Sequence, residues 1–194
     1  MAKTKEIKKH WVSVYSTHEF GKNEIGEVPY TEIKTLNGRV LKINLYLLTN
    51  DSRKQNAEIA FKIINSDGKT ANTEVLGYKI LNAYIKKVIR KGKEKVDDSF
   101  VCETKDKVKV KVKPFFITKN KTKASVVTSI RHEIRKIVSE VCKDNDFEKI
   151  IREIISNNLQ RNLKQEIKRI YPLNLFEIRE FVRDRVITKS VKFK

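Results

Sequence analysis

Residues 107–123 read KVKVKVKPFFITKNKTK, a lysine at every second position of an alternating run followed by a basic loop. Alternation with period two is the signature of a strand with one buried face, so Val108, Val110 and Val112 face a core and Lys107, Lys109, Lys111 and Lys113 face outward. The run itself therefore predicts β-structure here. Pro114 is expected to end regular pairing or to sit at a sheet edge, because proline cannot donate to a ladder. Phe115 shares the parity of the lysines, where a base could stack on it, but a disturbed register at Pro114 would place both Phe115 and Phe116 in the core.

Working outward, residues 11–76 read as strands. GRVLKINLYLL (38–48) alternates apolar Leu41, Ile43, Leu45 and Leu47, and Ile59, Phe61 and Ile63 repeat the pattern. Asp67-Gly68 predicts a hairpin turn into a strand near 73–76. The period then changes. Ile80, Leu81, Tyr84, Ile85, Val88 and Ile89 mark one helical face over 79–91, with Gly92 as its stop. Strands are expected again at 96–103 and in the lysine run. A long amphipathic helix over 123–142 carries Val126, Val127, Ile130, Ile134, Ile137, Val138 and Val141 on its stripe. Asp146 is a candidate N-cap for a second helix, Asn157-Asn158 breaks it, and a third helix must stop before Pro172, with a final strand at 173–182. Strands, one helix, strands, three helices and a strand, with no βαβ ladder and no repeat, indicate an α+β fold. The sheet is expected to be barrel-like and mostly antiparallel, with one inserted helix and a C-terminal group of about three helices before the last strand.

The expected organisation is a basic N-terminal arm (1–10), a single α+β RNA-binding domain (11–183) and a basic C-terminal tail (184–194). The chain carries 43 Lys+Arg against 24 Asp+Glu, net +19, with a pI near 9.9. Both halves are basic: residues 1–100 hold 19 basic and 12 acidic groups, and residues 101–194 hold 24 and 12. Such an excess repels itself and attracts polyanions. No segment approaches the roughly 20 apolar residues of a membrane helix, and residues 1–11 lack the apolar core of a secretory signal. Cys102 and Cys142 are too few and too far apart in sequence for a disulfide framework or a cysteine zinc site, which fits a reducing cytosol.

Catalytic patterns fail on inspection. HEIRK (132–136) begins like a zinc-protease helix, but Lys136 stands where the second histidine belongs, and the other histidines, His10 and His18, are scattered. Gly68-Lys69-Thr70 lacks the earlier glycine of a phosphate loop, since Ile63 occupies that place. Asp97, Asp98 and Glu103 could be imagined as a nuclease metal cluster, but neighbouring strand residues point to opposite faces. No enzyme, cofactor, metal or small-molecule substrate is expected.

Binding is the better reading. Lysines two residues apart on a strand are spaced by about 7 Å, comparable to successive phosphates on a nucleic-acid strand, which gives a sequence-independent and salt-sensitive grip. Edge strands also carry lysine to prevent aggregation. The run, however, continues through Lys119, Lys121 and Lys123, with no acid from Lys107 to Arg131. Arg131 and Arg135 lie off the apolar stripe of the long helix, and Lys86, Lys87, Arg90 and Lys91 crowd the end of the first one, where they also suit the helix dipole. These thirteen positions are the candidate RNA-binding residues.

Several stretches together resemble a known family. NGRV (37–40), LYLLTNDSRKQ (45–55), AYIKKVIRK (83–91), IRHEIRK (130–136) and KRIYPLNLFEIR (168–179) occur in the order of the small-subunit ribosomal proteins called S-three-Ae, or eS-one, and in length the chain resembles the archaeal branch. Where that family often has Asp-Gly-Tyr before the basic strand, this sequence has Asp106-Lys107-Val108. The resemblance implies a non-catalytic constituent of the small-subunit platform, near the rRNA 3′ end and the mRNA exit region. Its partners would be rRNA, neighbouring ribosomal proteins and mRNA, in the cytoplasm. A free RNA-binding or translation-regulatory module that visits the ribosome transiently is the alternative.

Overall fold

A computed structural model describes residues 9–184, so most of both basic arms lies outside the described residues. The chain forms two compact units, one up to Leu76 and one from Gly77.

In the first unit, β1 (His10–Tyr15) pairs antiparallel with β2 (Glu24–Tyr30) and parallel, through Ser13 to Tyr15, with Thr70 to Asn72 of β5 (Thr70–Ile80). β3 (Val40–Asn44) pairs antiparallel with β4 (Ala57–Ser66), which in turn pairs with β5. The Asp67-Gly68 turn forms as expected: the Asp67 N–H donates to Thr70 O at 3.0 Å, Gly68 has φ +81°, and the Tyr30 hydroxyl donates to Gly68 O at 2.9 Å. Val12, Val14, Val28, Leu36, Ile63 and Ala71 close a core cluster.

One expectation fails here. The strand read over 38–48 stops at Asn44, and Leu45–Thr49 is a short helix, α1. The Asn44 side chain accepts the Tyr46 N–H at 2.9 Å and donates to Gln55 O at 2.8 Å, so a cap replaces the ladder. Asn50 closes the turn with φ +53°. Leu47 is left 70 % exposed instead of buried.

In the second unit, residues 77–79 of β5 pair antiparallel with β9 (Leu173–Arg183), and β9 pairs with β8 (Lys109–Thr118). The other side of β8 is occupied by β6 (Lys95–Asp97) and β7 (Phe100–Glu103). The basic strand is thus interior; of the two expectations for Pro114, the edge position fails and the disturbed pairing holds. Pro114 is tolerated because the β8–β9 register shifts between Lys113 and Pro114, while its carbonyl accepts the Asp98 N–H at 3.1 Å. Phe115 and Phe116 are both buried, so Phe115 offers no stacking face.

Three helices cover one face of these strands. They are α3 (Ala124–Asp144), α4 (Phe147–Ile155) and α5 (Asn158–Ile167). α3 buries Val127, Ile130, Ile134, Val138 and Cys142, and Phe147 of α4 stacks on Phe181 of β9 at 5.5 Å. Asp146 takes the N-cap position of α4 without a side-chain bond; Asp106, from the turn before β8, accepts the Phe147 N–H instead. Asn157, at φ +60°, makes the break between α4 and α5. The Cys142 thiol meets the Cys102 sulfur at 2.9 Å, a contact that, with burial, pushes Cys142 up from the ordinary thiol range. A separation of 40 positions in sequence hid that proximity.

The first predicted helix is shorter than expected. β5 runs to Ile80, and α2 occupies only Asn82–Val88. Its C-cap is Ile89 in extended conformation; Gly92, at φ +82°, belongs to the following turn.

Candidate nucleic-acid interface

Val110 and Val112 are fully buried while Lys109 and Lys111 are exposed, so the divided strand is real. Across the outer face, Lys111 lies opposite Val182 on one side and Val101 on the other, and Val182 in turn opposes Gly77. A Cβ on Gly77 would come within 2.5 Å of Phe181 O and 2.7 Å of Val182 Cα, so this row closes only over a glycine. Lys109 lies opposite Glu103.

Two of the thirteen candidate cations are ion-paired within the protein. Lys113 makes an ion pair with Glu180, directly across the β8–β9 ladder. Burial pushes the Glu180 carboxyl up, but the Lys113 hydrogen bond and the charges of Lys113, Lys79 and Lys111 outweigh it and hold the group below its ordinary range. Arg135 grips Asp98 with two hydrogen bonds, Nε to Oδ2 at 2.7 Å and Nη2 to Oδ1 at 2.6 Å. That bond, against desolvation and with help from the Ser99 N–H and the Arg131 charge, lowers the Asp98 pKa. Arg131 is half-buried near the same carboxylate. Asp97 pairs with Lys95 at 2.7 Å and with Arg179 at 3.8 Å, so the two neighbouring aspartates serve different cations.

Lys107 is exposed but is not on the strand. It sits in the turn before β8 with φ +59°, donating its N–H to Thr104 O at 2.9 Å. A left-handed residue is needed there, which explains why a glycine is suited to this position.

The remaining cations gather at the other end of β8, some 30 Å from Lys109 for ten residues at strand rise. Lys119, Lys121 and Lys123 are exposed in the loop that leads into α3. Thr118, fully buried, pins this loop: its hydroxyl donates to Asn120 O at 2.7 Å and accepts the Glu94 N–H at 3.2 Å, while its own N–H donates to Glu94 O at 3.0 Å. Glu94 follows the segment that carries Lys86, Lys87, Arg90 and Lys91, all exposed. Two basic segments about 30 residues apart in sequence are thereby joined.

Beside that junction, Tyr84, Lys87, Val88, Arg90, Lys93 and Asn174 line a concavity of about 330 Å³. Lys93 and Asn174 were not legible as site residues. Lys93 lies outside the expected helix, and Asn174 arrives from β9, some 80 residues away. Burial and the nearby Glu177 carboxylate push the Tyr84 phenol up, so it stays a neutral ring with a donor hydroxyl. Cations around an aromatic in an open concavity suit a phosphate with an adjacent base.

Comparison with known proteins places the chain in a family. The family model described as the Ribosomal S3Ae family matches residues 2–183. A Nanoarchaeum equitans protein named small ribosomal subunit protein eS1 is 35% identical over 90% of this chain and 88% of its own length. Proteins of the same name from Methanothermobacter thermautotrophicus and Haloarcula marismortui are 31% and 30% identical, over 92% and 89% of this chain and 90% and 81% of theirs. The match runs through both units and the whole basic junction, and this chain belongs to the ribosomal S3Ae family.

Proposed function

We propose that this protein is a structural constituent of the small ribosomal subunit that holds rRNA through exposed lysines and arginines, without catalysis. Its place is the platform, near the rRNA 3′ end and the mRNA exit region, in the cytoplasm. The observation that carries the reading is the junction at the end of β8, where Lys87, Arg90 and Lys93 meet the loop of Lys119, Lys121 and Lys123 through the Thr118–Glu94 bonds. The names of the relatives, small ribosomal subunit protein eS1, support it. Lysine contacts of this kind position RNA without reading its sequence.

The test is made on intact small subunits. The protein is expected near one copy per subunit after a high-salt wash, with photocrosslinks from Lys87, Lys93 and Lys121 to rRNA. Substoichiometric recovery from washed subunits would replace a constituent with a visitor, and crosslinks confined to proteins would remove the RNA-binding role from this junction.

A further inference from the structure

A second concavity of about 230 Å³ lies where α5 packs on β9, with Asn157, Gln160, Arg161 and Lys164 on one helix side and Glu177 on the strand. Gln160 is only 4 % exposed. Its Nε2 donates to Ile154 O at 3.0 Å, but its Oε1 is buried with no hydrogen-bond partner. A buried acceptor left unmade is costly and points to a donor that arrives from outside. The Glu177 carboxyl is half-buried in the same concavity, and no described residue donates a hydrogen bond to it. Burial raises its pKa to about 7, with the Lys164 charge opposing the rise.

Two oxygen acceptors, one from the helix and one from the strand, thus line one concavity without donors of their own. Arg161 and Lys164 stand exposed at the rim, which disfavours a metal cation and favours a ligand that carries both N–H donors and an anionic group. The site also adjoins the basic concavity, because Lys164 Nζ donates at 2.9 Å to the carbonyl of Asn174, which lines the other one. Among the four RNA bases, guanine alone presents two adjacent donors, N1–H and the 2-amino group, on its Watson–Crick edge, and unpaired bases are read on that edge.

We propose that the Gln160–Glu177 concavity receives the base of an unpaired guanosine in RNA, its N–H donors toward Gln160 Oε1 and the Glu177 carboxylate and its phosphate toward Arg161 and Lys164. This rests on the RNA-binding reading and adds base selectivity to it. The ordering of the two concavities sends the adjoining phosphates past Lys87, Arg90 and Lys93.

The test uses the full chain and single-stranded RNA heptamers of uridine with a central guanosine, inosine or adenosine, followed by fluorescence anisotropy. Guanosine should bind about tenfold more tightly than adenosine, within the range of a bidentate base contact, with inosine between them. Gln160→Leu and Glu177→Leu should each reduce the ratio toward one by weakening the guanosine heptamer; the first also removes the bond to Ile154 O and should lower the melting temperature, while the second should leave it in place. Equal affinity for guanosine and adenosine, or a preference that survives both substitutions, overturns the proposal. If no heptamer binds but an rRNA fragment does, the guanosine site falls and the RNA-binding reading stands; if neither binds, both fall.

Discussion

The two ends of β8 are built from one alternating pattern and end in opposite circumstances. Near its start, Lys109 and Lys111 stand in water over Val110 and Val112; past Pro114 the same parity carries Phe115 and Ile117, both buried. Alternation says which side chains share a face, but what covers that face comes from strands and loops far away in sequence. At the first end the outer face stays open, and at the second a basic loop and the segment after α2 meet over Thr118 and Glu94.

The largest expected effect comes from breaking the open end. Gly77→Ala should cost about 3 kcal/mol, because the new Cβ strikes backbone atoms of Phe181 and Val182 that cannot turn aside. Urea denaturation should show a lower midpoint with an unchanged slope. A midpoint equal to the parent's would mean that β9 has room here, and the row Gly77, Val182, Lys111 and Val101 would lose its reason for closing over glycine.

Next come the two charge groups. Changing Lys119, Lys121 and Lys123 together to Gln should lower the salt slope of rRNA-fragment binding by about 2 and Lys109 and Lys111 together by about 1.5, at roughly 0.7 per phosphate. Stability should move by less than about 0.5 kcal/mol in both, as expected for exposed positions. Unchanged slopes for one set would assign the RNA to the opposite end of the strand.

The smallest effect separates a committed cation from these exposed ones. Arg135→Gln should leave the salt slope alone and cost about 1 kcal/mol at neutral pH, since it removes two hydrogen bonds from a carboxylate only 9 % exposed. Asp98 is held below its ordinary pKa, so the stabilisation is full above the ordinary carboxylate range and is lost as pH falls through the depressed value. Melting temperatures of parent and variant should therefore converge in acid. A gap that persists there would mean that Arg135 stabilises through packing on Phe100, whose ring lies 6.0 Å away, and not through its charge.

Much of this was legible from the residues. The valine face of β8, the turn at Asp67-Gly68, the break at Asn157 and the long stripe of α3 follow from local rules of period and cap. The failures share a cause. Nothing near Asn44 announces that its side chain will cap Tyr46 and end a strand whose alternation continues. Nothing near Pro114 announces β6 and β7 on one side and β9 on the other. Lys113 and Arg135 look as available as Lys111, and only the partners 67 and 37 residues away, Glu180 and Asp98, show that both are held in ion pairs. Gln160 sits beside the apolar stripe of α5 and gives no local sign of a buried acceptor.

Glu180 has a further consequence for how the exposed face responds to ions. It is a counterion fixed by covalent attachment, present beside Lys113 at any salt concentration. Lys111, opposed by Val101 and Val182, takes its counterions from solution and would release them to an arriving phosphate, gaining entropy, whereas Lys109 has Glu103 across the ladder. Lys113 has nothing to release. In dilute salt the three lysines differ most, and as salt rises the advantage of Lys111 shrinks while the pair at Lys113 keeps its partner.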